Sequence, residues 1–345
     1  MSQIWMRQNH RDPGNEFRML LARPQGVFGY GVENAIGAVS AEKAGVEAIY
    51  AGGWSIAGSK ARPDLGHVTM TEQRDQVREI VRATSLPVIA DIDDGYGNAL
   101  NVQRTVAEFF GFLEYDFETR TVRRLAGVHI EDQVLPKKCG HIAGKKLVSL
   151  KTMAGKVRMA ARTRDDVYPS GVIIARTDAF NSKIPGSMED AVARAVAYAD
   201  AGADLLWCEL NGCGRELPLA FAAGVKRHHP DIPLAFNYSP SLPWAKMPLA
   251  ERLTFPDLVA MGYRFIFVTI ADFHAHTWAS YEYASSFRQD GAVALWKMQK
   301  KKQGHPTEDH QALMRVHLWQ ELEREFVPGA AEEQEQGEGF KQEQQ

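Results

Sequence analysis

Eight short, almost continuously apolar runs recur along this chain, and helix-like segments separate them. A strand that is apolar at consecutive positions is buried on both faces of its sheet, and strands that alternate with helices pair in parallel. Eight such units predict an α/β fold, a TIM-type (β/α)8 barrel over residues 26–280. The runs are residues 27–30, 48–51, 87–91, 127–131, 171–176, 204–209, 233–237 and 265–269.

Polar side chains stand at the carboxyl ends of most of these runs. A barrel brings the carboxyl ends of its strands together at one mouth and builds its active site there, whereas a doubly wound sheet uses such ends mainly around one switch point. The distribution therefore favours a barrel with a site at its mouth. The residues concerned are Asp91, Asp93, Glu131, Arg176, Asp178, Glu209, Asn237, Ser239 and Thr269.

The segments outside the predicted barrel differ in character. Residues 1–25 form a polar N-terminal segment, residues 281–327 predict two or three helices with a break near residues 304–306, and residues 328–345 predict a flexible polar tail. Between Leu313 and Phe326, apolar residues recur at helical spacing and need a partner surface. The eight helices of a complete barrel leave no place for that face, so we expect a homo-oligomer.

Composition excludes several classes of protein. A chain of 345 residues with 45% hydrophobic content can bury a large core, and a formal net charge of −3 gives no basic surface for nucleic acid. The three cysteines match neither a disulfide framework nor a zinc pattern. No apolar stretch has the length of a membrane span and none near the N-terminus resembles a signal peptide, so the expected location is the cytoplasm without membrane contact.

A basic segment with one thiol, Lys137-Lys138-Cys139-Gly140-His141, follows the fourth run. Positive charge on both sides of Cys139 stabilises a thiolate, and Gly140 gives the backbone freedom to approach a ligand. A solvated basic loop with an incidental cysteine is the alternative. The position after a strand that ends in acids favours a functional loop.

Four carboxylates are expected at the mouth of the barrel. Asp91 and Asp93 are two residues apart, so their side chains leave an extended strand on the same face. With Glu131 and Asp64 they form an oxygen-rich set that suits Mg²⁺, with Mn²⁺ as a substitute, completed by water and an anionic substrate. Ion pairs with Arg176 and the loop lysines are the alternative role of these acids.

A second polar cluster is Asn237-Tyr238-Ser239-Pro240-Ser241. Asn237 and Ser239 share a strand face, and Ser241 joins them if the chain stays extended past the proline. Short hydrogen-bonding side chains that converge suit a carboxylate, to which Thr269 and Arg176 can add further contacts. Taken alone, the segment is equally typical of a turn.

In their order along the chain, these motifs resemble those of the isocitrate lyase/phosphoenolpyruvate mutase superfamily, and most of all its isocitrate lyases. The Lys137-to-His141 loop is that family's signature, and the resemblance spans residues 26–290. The other matching blocks are Tyr50-Ala51-Gly52-Gly53-Trp54, Pro63-Asp64, Ala90-Asp91-Ile92-Asp93, His129-Ile130-Glu131-Asp132-Gln133, Ala175-Arg176-Thr177-Asp178-Ala179, Trp207-Cys208-Glu209, Asn237-Tyr238-Ser239-Pro240-Ser241 and Thr269.

The resemblance implies a Mg²⁺-dependent lyase that splits a small tricarboxylate, isocitrate, into glyoxylate and succinate. It makes Cys139 the acid in that direction, with His141 and Glu209 assisting, and it implies a homo-oligomer, usually a tetramer, whose C-terminal helices exchange between subunits. The implied metal residues are Asp64, Asp91, Asp93 and Glu131. The implied substrate contacts are Gly52, Gly53, Trp54, Lys137, Gly140, His141 and Arg176 for one part, and Asn237, Ser239, Ser241 and Thr269 for the succinate half.

Several positions depart from the isocitrate lyase pattern. Gly52 replaces a serine, Ile130 makes its block more like that of 2-methylisocitrate lyase, Tyr238 replaces a smaller residue, and the segment after Ala179 lacks a long insertion. Cleavage of 2-methylisocitrate or a related 2-hydroxy diacid is therefore the alternative activity. A catalytically silent binding protein on the same barrel is the alternative of another class.

Overall fold

A computed structural model describes residues 11–116, 119–140, 144–181 and 188–330 of the chain. Its eight main strands are β1 (Val27–Val32), β2 (Ala48–Ala51), β3 (Val88–Asp91), β6 (Gly127–Glu131), β7 (Val172–Thr177), β8 (Leu205–Cys208), β9 (Leu234–Asn237) and β10 (Tyr263–Val268). They are all parallel and close into a barrel in the order β1-β10-β9-β8-β7-β6-β3-β2. The predicted (β/α)8 architecture is confirmed.

A small antiparallel hairpin interrupts the alternation and escaped the sequence-based prediction. Its strands, β4 (Glu114–Asp116) and β5 (Thr121–Arg123), are three residues long and contain no apolar run. Arg123 pairs with Asp116 within the hairpin and donates a 2.7 Å hydrogen bond to the carbonyl of Arg82. The hairpin is therefore fixed by charged side chains rather than by a buried face.

The helices connect successive strands and then continue past the barrel. They are α1 (Pro13–Ala22), α2 (Ala35–Lys43), α3 (Gly53–Ser59), α4 (Met70–Ala83), α5 (Ala99–Gly111), α6 (Leu150–Val167), α7 (Met188–Asp200), α8 (Glu216–Lys226), α9 (Phe255–Ala260), α10 (Ala271–Asp290), α11 (Ala292–Lys302), α12 (His310–Leu313) and α13 (Val316–Phe326). Side chains of Thr69, Asn98 and Ser149 cap α4, α5 and α6 by accepting from their first-turn N–H groups. These caps define where the loops at the mouth of the barrel end.

Aromatic side chains fill the barrel interior. The ring of Tyr50 stacks on Phe267 at a centroid distance of 4.4 Å, and Trp207 meets Phe267 edge-on at 5.0 Å. At the amino ends of the strands, Phe17 of α1 is fully buried with its ring edge-on to Phe265. Helix α1, which the sequence pattern did not predict within residues 1–25, thus closes one end of the barrel. The opposite end, where the strands have their carboxyl ends, is open to a ligand.

The chain divides into two compact units, residues 1–280 and residues 281–345. The second unit contains the end of α10, then α11, α12 and α13, with a non-helical stretch at residues 303–309. Large aromatic side chains in it are exposed, among them Trp296, Trp319 and Phe326.

Most of the predicted polar tail, residues 331–345, lies outside the described residues. Among the helices of the described ranges, none combines the length and the apolar character that crossing a bilayer requires.

Candidate active site

The carboxyl ends of the barrel strands surround a cavity of about 470 Å³. It brings together most of the residues that the sequence singled out: Gly52, Gly53, Trp54, Asp64, Asp91, Glu131, Lys137, Cys139, Gly140, Arg176, Glu209, Asn237, Ser239, Ser241 and Thr269. Asp93 lies behind this lining, and His141 falls outside the described residues. The lining also includes Tyr50, Ser55, Lys138 and Ile270, which were not predicted as site residues.

Asp91, the last residue of β3, is held in place by backbone N–H groups. Its Oδ2 accepts a 3.0 Å hydrogen bond from Gly53 N, and its Oδ1 accepts one of 2.9 Å from Asp93 N. Burial opposes ionisation of this carboxyl, but His129 and Lys137 outweigh it and hold its pKa well below the usual value. Asp91 is therefore a fixed, ionised carboxylate that faces the cavity.

Asp93 lies near Asp91 because the chain turns after β3, and not because the two residues share a strand face. The prediction that Asp91 and Asp93 leave one strand face together is wrong, because β3 ends at Asp91 and Asp93 has a left-handed backbone with φ +50°. The ammonium of Lys137 lies 2.7 Å from Asp93 Oδ1 and 2.7 Å from Asp64 Oδ1. Burial opposes that ammonium charge, but Asp93 and Asp64 outweigh it and raise the pKa of Lys137. A buried lysine thus balances two of the four predicted metal acids.

Glu131 offers an oxygen that a cation would satisfy. Its Oε1 is buried and has no hydrogen-bond partner among the described residues, whereas Arg176 Nη1 lies 3.2 Å from Oε2. Burial raises the pKa of Glu131 well above the usual value, although Arg176 and Lys137 act in the opposite direction. Nowhere in the described ranges do three Asp, Glu, His or Cys side chains form a group able to hold a metal by themselves. The site fits Mg²⁺, which takes one or two carboxylates and completes its octahedron with water and substrate oxygens.

Arg176 on β7 is the cation at the centre of the cavity wall. Its guanidinium makes two 2.9 Å hydrogen bonds to Asp178 and lies 3.8 Å from Glu209 Oε2. Burial opposes its charge, but Asp178, Glu131 and Glu209 outweigh it and raise the pKa of the guanidinium further above its usual range. Arg176 is consequently a permanent positive charge, available to an anionic ligand.

The polar cluster at the end of β9 is a turn, and its side chains still converge on the cavity. Residues 240 and 241 form this turn, so the chain does not stay extended past Pro240. Ser241 N donates to Ser239 Oγ at 3.2 Å, and Trp244 Nε1 donates to the carbonyl of Ser239 at 2.8 Å. The ring of Tyr238 stacks on Trp244 at 3.9 Å, which supports the turn from behind. The two interpretations of this segment, a turn and an anion site, are compatible.

Asn237 presents an unused acceptor beside this turn. Its Nδ2 donates to Glu209 Oε1 at 3.1 Å, while its buried Oδ1 has no hydrogen-bond partner among the described residues. Burial raises the pKa of Glu209, although Arg176 acts against the rise. The amide of Asn237 can both donate and accept hydrogen bonds, so this wall of the cavity can offer a ligand either kind of contact.

Tyr50 is a site residue that sequence reasoning missed. Its hydroxyl lies 3.3 Å from His129 Nδ1 and 3.5 Å from Asp91 Oδ2, beneath the cavity. A Cβ at Gly52 would lie 2.7 Å from the Tyr50 ring, so the glycine and the tyrosine fit each other. The departure from serine at position 52 thus has a structural reason. A tyrosine within an apolar strand is indistinguishable from core, so the one signal for Tyr50 was its place in the block of residues 50–54 that resembles the family.

Comparison with known proteins identifies the family. The family model described as phosphoenolpyruvate phosphomutase matches residues 17–286, which is most of the chain. The chain belongs to the phosphoenolpyruvate mutase/isocitrate lyase superfamily. Curated relatives that match it are named isocitrate lyase, 2,3-dimethylmalate lyase and 2-methylisocitrate lyase, and the chain is a carbon–carbon lyase.

Curated members of the superfamily that are similar to this chain are named for different substrates. An isocitrate lyase of Haloferax volcanii is 38% identical over 344 residues, covering 99% of this chain and 95% of its own. A 2-methylisocitrate lyase of Bacillus subtilis is 32% identical over 310 residues, covering 89% of this chain and 93% of its own. The superfamily assignment therefore leaves the substrate open.

Solved structures of superfamily members share the barrel. A crystal structure of 2,3-dimethylmalate lyase matches with a TM-score of 0.69 at 30% identity, over 82% of this chain and 87% of that one. A phosphonopyruvate hydrolase crystallised with oxalate and Mg²⁺ matches in fold with a TM-score of 0.73 at 24% identity, over 92% of this chain and 100% of that one.

Proposed function

We propose that this protein cleaves isocitrate into glyoxylate and succinate with the help of Mg²⁺. The observation that carries the proposal is the cavity itself, in which a thiol, fixed carboxylates, a buried guanidinium and a neutral hydrogen-bonding cluster face one another. This set matches what a 2-hydroxy tricarboxylate requires: cations for its carboxylates, an acceptor for its hydroxyl proton and an acid for the carbon that is released. The 38% identity with an isocitrate lyase over nearly the whole chain supports this substrate.

Each of two walls of the cavity binds one half of the substrate. Arg176 and the N-terminal turn of α3, which begins at Gly53, supply positive charge and backbone N–H groups for the half that becomes glyoxylate. Ser239, Ser241 and Thr269 supply neutral donors for a carboxylate of the half that becomes succinate, and Asn237 lies beside them with its amide bonded to Glu209. The bond that breaks then lies between these two walls.

The chemical step transfers one proton at each end of that bond. The hydroxyl proton passes to a carboxylate of the cavity wall, the carbon–carbon bond breaks, and its electron pair remains on the succinate carbon. The Cys139 thiol then delivers a proton to this carbon and becomes a thiolate, which the positive charge of the neighbouring lysines stabilises. In the reverse direction the thiolate takes that proton back, so one group serves both directions.

Asp91 and Glu131 are the cavity residues that would hold Mg²⁺. Asp64 and Asp93, which both pair with Lys137, would contact the metal through water. Bound there, the metal would supply positive charge to the hydroxyl and carboxylate oxygens of the glyoxylate half. The orphaned Oε1 of Glu131 supports this assignment, because a buried carboxylate oxygen without a donor is costly unless a cation approaches it. Asp91 keeps its orientation through Gly53 and Asp93.

Cleavage of 2-methylisocitrate is the second candidate function. It is favoured by the block His129-Ile130-Glu131 and by the 32% identity with a 2-methylisocitrate lyase. This substrate carries one more methyl group and releases pyruvate in place of glyoxylate. The apolar contact needed for such a methyl is present in the cavity as Ile270 and the ring of Tyr50.

The deciding experiment measures both activities on the purified full-length protein. Glyoxylate release from isocitrate and pyruvate release from 2-methylisocitrate are followed at equal substrate concentrations, with Mg²⁺ and with EDTA. We expect glyoxylate release to have the higher kcat/KM and to disappear in EDTA. Faster pyruvate release would establish the second candidate, and no release of either product would reject both.

We further propose that the protein is a homotetramer in which residues 281–327 pack on a neighbouring subunit. Support comes from the exposed Trp296 and Phe326, two large apolar side chains in a unit whose described residues include few buried apolar side chains. Apolar surface of this kind is normally covered by another protein surface. The small-molecule partner that we propose for the cavity is the tricarboxylate substrate.

A further inference from the structure

A buried ion pair behind the cysteine loop has no part in the proposed chemistry. Lys145 and Asp178 both have fully buried side chains, and Lys145 Nζ lies 2.6 Å from Asp178 Oδ1. Lys145 Nζ also donates a hydrogen bond to the carbonyl of Gly140, the residue after Cys139. Taking both charges out of water is expensive, and a single pair repays that cost only with additional well-placed hydrogen bonds. The bond to Gly140 is one of them.

The same carboxylate also holds the guanidinium of the cavity wall. Asp178 Oδ2 accepts from Arg176 Nε and Asp178 Oδ1 accepts from Arg176 Nη2, both at 2.9 Å. Asp178 is itself oriented by its backbone N–H, which donates to Asp132 Oδ1 at 2.9 Å. One fixed carboxylate therefore connects Arg176, which faces the ligand, to Lys145, which holds the cysteine loop.

A second attachment lies on the other side of Cys139. The side-chain amide of Gln133 accepts from Lys138 N at 2.9 Å and donates to the carbonyl of Lys138 at 2.8 Å. The same Nε2 lies 3.4 Å from Asp178 Oδ2. Both residues that flank Cys139 are thus tied to side chains around Asp178.

The backbone at Gly140 has little freedom to be placed differently. A Cβ at Gly140 would lie 2.5 Å from Arg176 Nη2 and 2.8 Å from Glu209 Cγ, so the loop backbone packs directly against the cavity wall. A displacement of a few tenths of an ångström at Gly140 would change the direction in which Cys139 points. Since proton transfer requires hydrogen-bond distance, such a displacement affects the chemical step more than binding.

We propose that Lys145, acting through Asp178, is a positioning residue that sets the distance between Cys139 and the ligand held by Arg176, with Gln133 as the second anchor. The inference rests on the proposed function for the role of Cys139 as a proton donor. The anchoring itself concerns only the protein and can be measured without any substrate.

The experiment compares Lys145→Met with Lys146→Met, which changes the neighbouring, exposed lysine in the same way. The first readout is the rate at which iodoacetamide alkylates Cys139 in the ligand-free protein, followed by mass spectrometry of its peptide. Loss of a charge-assisted hydrogen bond predicts about tenfold faster alkylation in Lys145→Met and no change in Lys146→Met. The second readout is kinetic: kcat should fall about tenfold or more in Lys145→Met while KM changes little.

Gln133→Leu keeps the test decisive if Lys145→Met does not fold, because it removes both bonds to Lys138 without leaving a buried charge. Faster alkylation in either variant supports the anchoring. Wild-type alkylation rates in every variant that folds, even with reduced activity, would overturn it and leave only a general stabilising role. If the wild-type protein cleaves neither tricarboxylate, the alkylation result still stands, so failure of the proposed function and failure of the anchoring are distinguishable.

Discussion

The guanidinium carbon of Arg176 lies 4.5 Å from the centroid of the Trp207 indole ring. The two residues are register partners on β7 and β8, and Trp207 is buried inside the barrel. A desolvated contact of this kind contributes about 2 kcal/mol and orients the guanidinium plane. The aromatic core of the barrel therefore supports the charged wall of the cavity, and packing and site geometry are set together.

Replacement of the proposed proton donor tests the chemistry. Cys139→Ser should keep the fold and lower kcat by about 10²–10⁴-fold, because a serine hydroxyl is far too weak an acid to act as the thiol does. Steady-state turnover and circular dichroism measure the two effects. Cys213→Ser is the matched control, since Cys213 lies outside the cavity lining, and its turnover should stay close to that of the wild type. Turnover of Cys139→Ser within a few-fold of wild type would remove Cys139 from the mechanism.

Two carboxylates in the cavity should respond differently to neutralisation. Glu131→Gln replaces a carboxyl group whose Oε1 has no hydrogen-bond donor, so the Mg²⁺ concentration for half-maximal activity should rise about tenfold or more with little loss of stability. Asp91→Asn replaces an acceptor of two backbone N–H groups, so it should also lower the free energy of unfolding by about 1–3 kcal/mol.

Urea unfolding in EDTA separates the two effects, because no metal contributes there. Equal destabilisation by both substitutions would contradict this distinction between a metal-facing acid and one that the backbone also uses.

Charge at the proposed succinate wall should oppose binding. Asn237→Asp places a second carboxylate about 3 Å from Glu209 at almost unchanged volume, and a nearby like charge repels an anionic ligand. We expect KM for the tricarboxylate to rise at least about tenfold, since one lost charge-assisted contact is of this order. Asn15→Asp adds the same charge at an exposed site on α1 and should leave KM unchanged. An unchanged KM in Asn237→Asp would indicate that the succinate half of the substrate binds in another part of the cavity.

Closure of the barrel by α1 should be visible in stability alone. Phe17→Ala removes a fully buried ring that lies edge-on to Phe265 at 5.0 Å, so the free energy of unfolding should fall by about 3–5 kcal/mol. Denaturant unfolding measures the loss. The cavity lies at the opposite end of the barrel, so the activity of the folded fraction should be retained. A loss below about 1 kcal/mol would show that α1 is dispensable to the barrel.

The C-terminal unit should carry the assembly. Deletion of residues 329–345 removes only polar tail and should leave a tetramer, whereas a chain that ends at Pro306 loses α12 and α13 and should aggregate or become an inactive monomer. Light scattering on both truncations measures the assembly. A monomeric full-length protein, or a soluble and active chain that ends at Pro306, would reject the proposal.

The barrel and most of its cavity lining could be predicted from the sequence because they depend on local patterns. Consecutive apolar residues report burial on both faces, and a polar residue at a strand's carboxyl end can only face the mouth once the strands are parallel. Arg176 and Asn237 were found in this way, whereas Cys139 was found from the basic loop that follows the fourth run. The hairpin β4–β5 was missed because its contacts are charged pairs. Helix α1 was missed because its buried face is short and consists of Pro13, Phe17 and Leu21 within a polar segment.

By itself, the sequence determined the strand order, the end of the barrel that carries the site and the chemical types gathered there. Only the tertiary structure decided that β3 ends before Asp93, that Lys137 bridges Asp64 and Asp93, and that Asp178 connects Arg176 with the cysteine loop. The physical reason is that the apolar residues of a strand or helix recur every few positions, so a short stretch of sequence is enough to recognise the element. A buried charge, by contrast, takes whichever partner the packing of distant segments brings within hydrogen-bond distance.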